Sequence, residues 1–244
     1  MPVLRSPHMI EAIFFDFYNT LVRFWPPLPQ IQHAACQNLG IRVPAERLAR
    51  GYAIADLFFN EENHRWPLGE RDAAARGEFF ARYEQIILEE SGVAVSLRMA
   101  KQIWDMAISV PKEFVEFEET RSVLEELRGR GYRLAVLTNL RRDMDELTQS
   151  LGIRQYLEFC ITSREAGEKP ATAIFEAALQ RMALRPDQAI HVGDQPRSDV
   201  QGARDAGLLP VLIDRGGFHA NVADCDHIDS LEGLYPLLDR LVSC

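Results

Sequence analysis

The chain has 244 residues, enough for one large domain or a core plus an insert, and its 47% hydrophobic and 26% charged residues match a packed globular protein rather than a disordered or fibrous one. A formal charge of −9, with no run of Lys or Arg longer than two, weighs against nucleic acid or an anionic membrane as the main partner and leaves small-molecule chemistry. Cys36, Cys160, Cys225 and Cys244 are scattered without metal-ligand spacing and read as thiols of a reducing cytoplasm, while no apolar run reaches the roughly 20 residues of a membrane span.

The first eight residues, ahead of a second Met at position 9, read as a leader or an upstream start to which no function is given. "IEAIFFD" then reads as a strand that ends on Asp16. From Phe24 the texture changes. "PAERLARGYAIADLFFN", "ERDAAARGEFFARYEQIILEESG" and "LRMAKQIWDMAIS" carry apolar residues at helical spacing, with no strand among them. "FWPPLP" on entry and "VPKEF" on exit mark two linkers. Within this insert "FFNEENHRWPLGE" reads as a mobile substrate loop between two helices, and Trp25, His64, Arg65 and Trp66 are candidates to line a cleft.

From Glu118 onward short branched runs, "RLAVLTN", "FCITS", "AIHVGD" and "LPVLID", alternate with amphipathic helical stretches. The helices stop on glycines such as Gly131, Gly152 and Gly207, "DRGGFHAN" reads as a turn, and "LEGLYPLLDRLV" closes the chain as a helix despite Pro236. The expected fold is α/β, a Rossmann-like three-layer core around a parallel sheet (residues 1–23 and 114–244) with an inserted all-helical domain (residues 24–113).

In open parallel sheets ligands bind beyond the carboxyl ends of the strands. Four strands here end in polar groups: Asp16, Thr138 with Asn139, Ser163, and Asp194. Any one of them is an ordinary loop or cap residue, but four together point to one site.

Asp16 with Thr20, then Thr138, then Lys169 in "GEKP", then "GDQPRSD" with Asp194 and Asp199, form an ordered set that resembles the haloacid dehalogenase-like hydrolase superfamily, in the subclass with a C1-type helical cap. One departure is Ala171, where many members have Asp after Lys-Pro. The resemblance implies catalysis by Asp16, Thr138 and Lys169, with Tyr18, Thr20 and Asn139 toward the substrate. It also implies Mg2+ held by Asp16, the main-chain carbonyl of Tyr18, Asp194 and Asp199. The chemistry is coherent on these residues. Asp16 as nucleophile splits phosphoryl transfer into two easier steps, and Lys169 and Thr138 neutralise charge on the transferring group. Two like charges about 4 Å apart repel by roughly 4 kcal/mol at an effective dielectric near 20, so three carboxylates at one site call for a cation.

Phosphatases of this superfamily usually carry DxDxT, whose second Asp protonates the leaving group; this chain reads DxYxT. A phenol with a pKa near 10 is a poor substitute at neutral pH. The 2-haloacid dehalogenases also have Tyr there, because halide leaves without a proton, yet they lack the metal and the Gly-Asp pair kept here as Gly193 and Asp194. The expected function is a slow cytoplasmic Mg2+-dependent phosphatase of a small phosphorylated metabolite, monomeric or homodimeric. A 2-haloacid dehalogenase and a weakly active or non-catalytic binding protein stay open.

Overall fold

The computed structural model describes residues 10–242, so the reading of the first eight residues and of Cys244 lies outside the described residues. In chain order the elements begin with β1 (Ala12–Phe15) and β2 (Val22–Trp25). Four helices follow, α1 (Leu28–Asn38), α2 (Ala45–Arg65), α3 (Ala73–Glu90) and α4 (Leu97–Ser109), and then β3 (Glu113–Glu116). The rest alternates: α5 (Thr120–Gly129), β4 (Arg133–Thr138), α6 (Met144–Ser150), β5 (Phe159–Thr162), α7 (Ser163–Ala166) and α8 (Ala173–Met182). It ends with β6 (Ala189–Gly193), α9 (Gly202–Asp205), β7 (Leu209–Ile213), β8 (Asp226–Ile228) and α10 (Leu234–Val242).

Six strands form one parallel sheet in the order β5-β4-β1-β6-β7-β8. β1 is central and completely buried, as a strand covered on both faces must be, which is why it reads as an unbroken apolar run. Phe14, Ala135, Leu137 and Ile161 pack on one face against Ile174, Phe175, Ala178 and Met182. α5 lies against β4 with Val123, Leu124 and Leu127 buried outside that cluster, so helices cover both faces and the α/β three-layer expectation holds. Among the described residues no helix is long and apolar enough to cross a membrane.

The chain divides into two compact units. One runs up to Arg23 and resumes at Val115, and the other is Phe24–Phe114. The helical unit packs Ile31, Leu48, Ala55, Ile87, Leu88 and Ile103 into its own core, beside rings of Phe58, Phe59, Phe79, Phe80, Tyr83 and Trp104. α2 crosses α3 at Gly51, where a Cβ would lie 2.3 Å from the Ile87 carbonyl oxygen; only glycine permits that approach.

Several elements depart from expectation. β2 and β3 pair as a two-stranded ribbon where linkers were expected, and β8 adds an unexpected edge strand. α1 was not anticipated; Pro29 near its start supplies the φ that a first turn needs. The expected loop "FFNEENHRWPLGE" is corrected: α2 continues through Arg65, whose guanidinium pairs with Glu61 and Glu62 one turn back, and only Trp66–Arg71 leaves the helix. In α10 Pro236 falls in the first turn, where a missing N–H costs nothing.

Inside the helical unit Glu84 is fully buried; its Oε1 accepts from Gln32 Nε2, Tyr52 donates to Gln32, and Oε2 has no partner among the described residues. Burial raises its pKa from 4.5 to about 8, so it is neutral in the folded unit at neutral pH. A raised carboxyl pKa adds stability that is full below the unfolded pKa and is lost as pH rises through the folded one. Melting of the helical signal should therefore fall between about pH 5 and pH 9 in the wild type, and Glu84→Gln should flatten that slope and raise the high-pH midpoint. Parallel slopes in circular-dichroism melts of the two proteins would contradict it.

Candidate active site

The N–H of Asp16 donates to the Val192 carbonyl at 2.8 Å, so Asp16 extends β1 by one residue beside β6 and delivers its carboxylate at the carboxyl edge of the sheet. β1 lies between β4 and β6, at the point where the strand order reverses, and their ends bring Thr138, Gly193 and Asp194 to the same edge. Carboxylate oxygens of Asp16, Asp194 and Asp199 lie within 4.8 Å of one another.

Lys169 reaches this edge from the segment between α7 and α8. Its Nζ is 2.6 Å from Asp16 Oδ1 and 2.5 Å from Asp199 Oδ1, with its side chain almost wholly buried. Asn139, next after Thr138, holds the Lys169 backbone on both sides: Oδ1 accepts the Lys169 N–H at 2.8 Å and Nδ2 donates to the Lys169 carbonyl at 3.1 Å. Thr138 is buried, and its hydroxyl oxygen accepts the Leu140 N–H at 3.2 Å.

Asp199 stands in a single π-helical turn, Pro196–Gln201, not at the helix start where a capping Asp would be. Besides Lys169, its carboxylate accepts from His191 Nε2 at 3.0 Å and from the Gln195 N–H at 2.9 Å. Gly193 makes room for it, since a Cβ there would lie 2.2 Å from Asp199 Cγ. Burial opposes ionisation of Asp199, but Lys169 and the His191 bond outweigh it and hold the carboxyl well below the usual range. Because Nε2 donates, His191 is the tautomer with a bare Nδ1, which is buried without a partner among the described residues; burial and then Lys169 lower its pKa and keep it neutral. For Lys169 the two carboxylates overcome burial and raise the pKa, so the ammonium stays charged.

Asp16 shows the imbalance. Burial and the Asp199 charge lift its pKa to about 6 in spite of Lys169. Among the described residues Lys169 is the buried cation in contact with this cluster, and the Arg215 charge acts on Asp194 from farther off, so three acids leave room for a further positive charge, and their carboxylate oxygens are of the kind a hard divalent ion takes. Asp194 completes the acidic set; its Oδ2 accepts from Gln195 Nε2 at 2.8 Å and from Asn19 Nδ2 at 3.4 Å.

Asp16, Lys169, Asp194 and Asp199 are thus brought together, and Asn139 orients Lys169 rather than reaching outward. Tyr18 is half-buried on the loop after β1, whereas Thr20 is fully buried and its hydroxyl has no partner among the described residues. Trp25, His64, Arg65 and Trp66 belong to the helical unit, where Arg71 stacks on Trp66. His191, Gln195 and Asn19 were not anticipated as site residues. A polar residue at the centre of the apolar "AIHVG" strand was the available signal for His191.

The family described as "haloacid dehalogenase-like hydrolase" matches residues 10–207. A phosphoserine phosphatase of Thermus thermophilus is 34% identical over 229 residues, covering 85% of this chain and 90% of that protein. A ribulose-1,5-bisphosphate 5-phosphatase of Halopiger xanaduensis is 30% identical over 212 residues, covering 84% and 85%. Among solved structures, a 2-haloacid dehalogenase of Pseudomonas syringae superposes with a TM-score of 0.54 at 25% identity, over 95% of this chain and 99% of that one. The motifs, the sheet that collects them and these similarities agree: the chain belongs to the haloacid dehalogenase-like hydrolase family.

Proposed function

We propose that this hydrolase is a Mg2+-dependent phosphatase of small phosphorylated metabolites with Asp16 as nucleophile. The observation that carries this reading is the buried Asp16–Lys169–Asp199 chain beside Asp194, a cluster with more negative charge than its own lysine balances. The phosphatase names of the two curated relatives support it.

Asp16, Asp194 and the Tyr18 carbonyl would hold the ion, with Asp199 orienting Lys169 beside them. When bound, Mg2+ supplies charge neutralisation on the transferring oxygens. An Asp16 oxygen attacks phosphorus; the new O–P bond forms as the bond to the leaving oxygen breaks, giving an acyl phosphate. Lys169 holds the Asp16 carboxylate in place through Oδ1 and faces the transferring group as a fixed charge, and Asn139 keeps Lys169 from swinging away. Water then attacks phosphorus, releasing phosphate and restoring Asp16. Tyr18 is a weak acid for the leaving oxygen, so substrates whose leaving group needs no proton, acyl and aryl phosphates, are favoured.

Asp16→Asn should lower phosphate release from an aryl phosphate by at least about a thousandfold, and chelation should abolish it in the wild type. Chelator-resistant turnover would count against the reading. Tyr18→Asp should raise turnover of an alkyl phosphate several-fold or more while changing an acyl phosphate little, because a general acid contributes roughly a hundredfold to ten-thousandfold only where one is needed. An equal effect on both substrates would show that Tyr18 does not limit proton delivery.

Tyr18 also favours a second reading, displacement of halide from a 2-haloacid by the same Asp16, followed by hydrolysis of the ester. It requires chloride release from a short 2-chloroacid with chelator present; no release ends it.

A further inference from the structure

Arg215 stands in the turn after β7 and uses its whole guanidinium on residues far away in the chain. Nε donates to the Asn19 carbonyl at 3.3 Å, Nη2 to the Thr20 carbonyl at 2.9 Å, and Nη1 to Glu119 Oε1 at 2.6 Å. One face lies 3.5 Å from the ring centre of Phe117. The turn that carries it is itself fixed: Asp214, nearly buried, accepts the N–H groups of Phe218 at 2.9 Å and His219 at 2.7 Å.

The residues Arg215 holds form the loop that follows the Asp16 strand. Asn19 adopts φ +59°, a left-handed conformation that needs support in any residue but glycine. The N–H groups of Leu21 and Val22 turn back to the Phe17 carbonyl, and the Leu21 carbonyl accepts from Thr120 Oγ1 at 2.7 Å. Three successive carbonyls, of Asn19, Thr20 and Leu21, are therefore bonded by side chains from elsewhere in the core unit, two of them by Arg215 alone. On its other flank the Asn19 amide touches Asp194. Lys could not replace this arrangement, because it offers a point charge in place of a planar fork and a stacking face.

We propose that Arg215 is a positioning residue for the nucleophile loop: it clamps the Asn19–Thr20 turn so that Asp16 and the Tyr18 carbonyl are aimed together at a divalent cation. This rests on the phosphatase reading for its metal and turnover consequences, and on geometry alone for the loop. Groups that orient ligands without touching the metal typically contribute about tenfold to a hundredfold in affinity or activity, and a displacement of about 1 Å at a reacting group costs a similar factor.

The test compares wild type, Arg215→Ala, Arg215→Lys and Glu119→Gln by hydrogen exchange across residues 17–22, by Mg2+ titration calorimetry without substrate, and by aryl phosphate kinetics. Arg215→Ala should speed exchange of the Leu21 and Val22 amides about tenfold, weaken Mg2+ about tenfold to a hundredfold, and lower kcat by a similar factor with KM little changed. Arg215→Lys should recover less than half of each loss on a logarithmic scale, and Glu119→Gln should shift each readout the same way by a smaller factor. Should Arg215→Ala fail to fold, Glu119→Gln decides. Unchanged exchange in residues 17–22, or a looser loop with wild-type Mg2+ affinity and kcat, overturns the proposal. If the wild type itself neither binds Mg2+ nor releases phosphate, the phosphatase reading fails, and the exchange comparison alone then upholds or overturns the clamp.

Discussion

The Lys169 ammonium, buried between Asp16 and Asp199, holds together groups from three separate segments of the core unit. Breaking a buried ion pair by removing one partner costs about 3–5 kcal/mol, because the partner left behind is an uncompensated charge. Burying these charges also costs desolvation, and each neighbouring feature offsets part of it or holds the groups in place. Asn139 grips the Lys169 backbone from the end of β4, Gly193 leaves room for Asp199, and His191 and the Gln195 N–H satisfy oxygens that Lys169 does not. The parallel register of β1 with β4 and β6 is what sets these strand ends side by side.

The same arrangement ties charge to chemistry. With three acids around its buried lysine, the cluster leaves room for a further positive charge, and the phosphatase reading fills that room with a divalent ion, which a halide-displacing site would not require. The Tyr18 side chain enters the chemistry at a different step. It bears on the proton needed by a poor leaving group, so its expected effect falls on substrate choice and rate rather than on metal binding.

Much of the core was legible because its strands are covered on both faces and so appear as unbroken apolar runs bounded by polar ends. Those polar ends are where Asp16, Thr138 and Asp194 stand. β8, with only Asp226–Ile228, and the β2–β3 ribbon gave no such run, since their pairing depends on residues distant in sequence. Glu61–Arg65 read as a loop because its polar residues mask the helical period, yet nothing breaks the helix before Pro67. His191 was overlooked within an apolar strand. Arg215 was out of reach for a different reason: its partners Asn19 and Thr20 lie almost two hundred positions earlier, and "DRGG" by itself reads only as a turn.

In the proposed reaction Asp16 becomes covalently phosphorylated. Acid quenching during turnover of an acyl phosphate with Mg2+, followed by peptide mass spectrometry, tests it most directly. A phosphoryl group on Asp16 that accumulates and decays with turnover is the expected result. Phosphate release with Asp16 unmodified throughout, or a phosphoryl group on another residue, would contradict it.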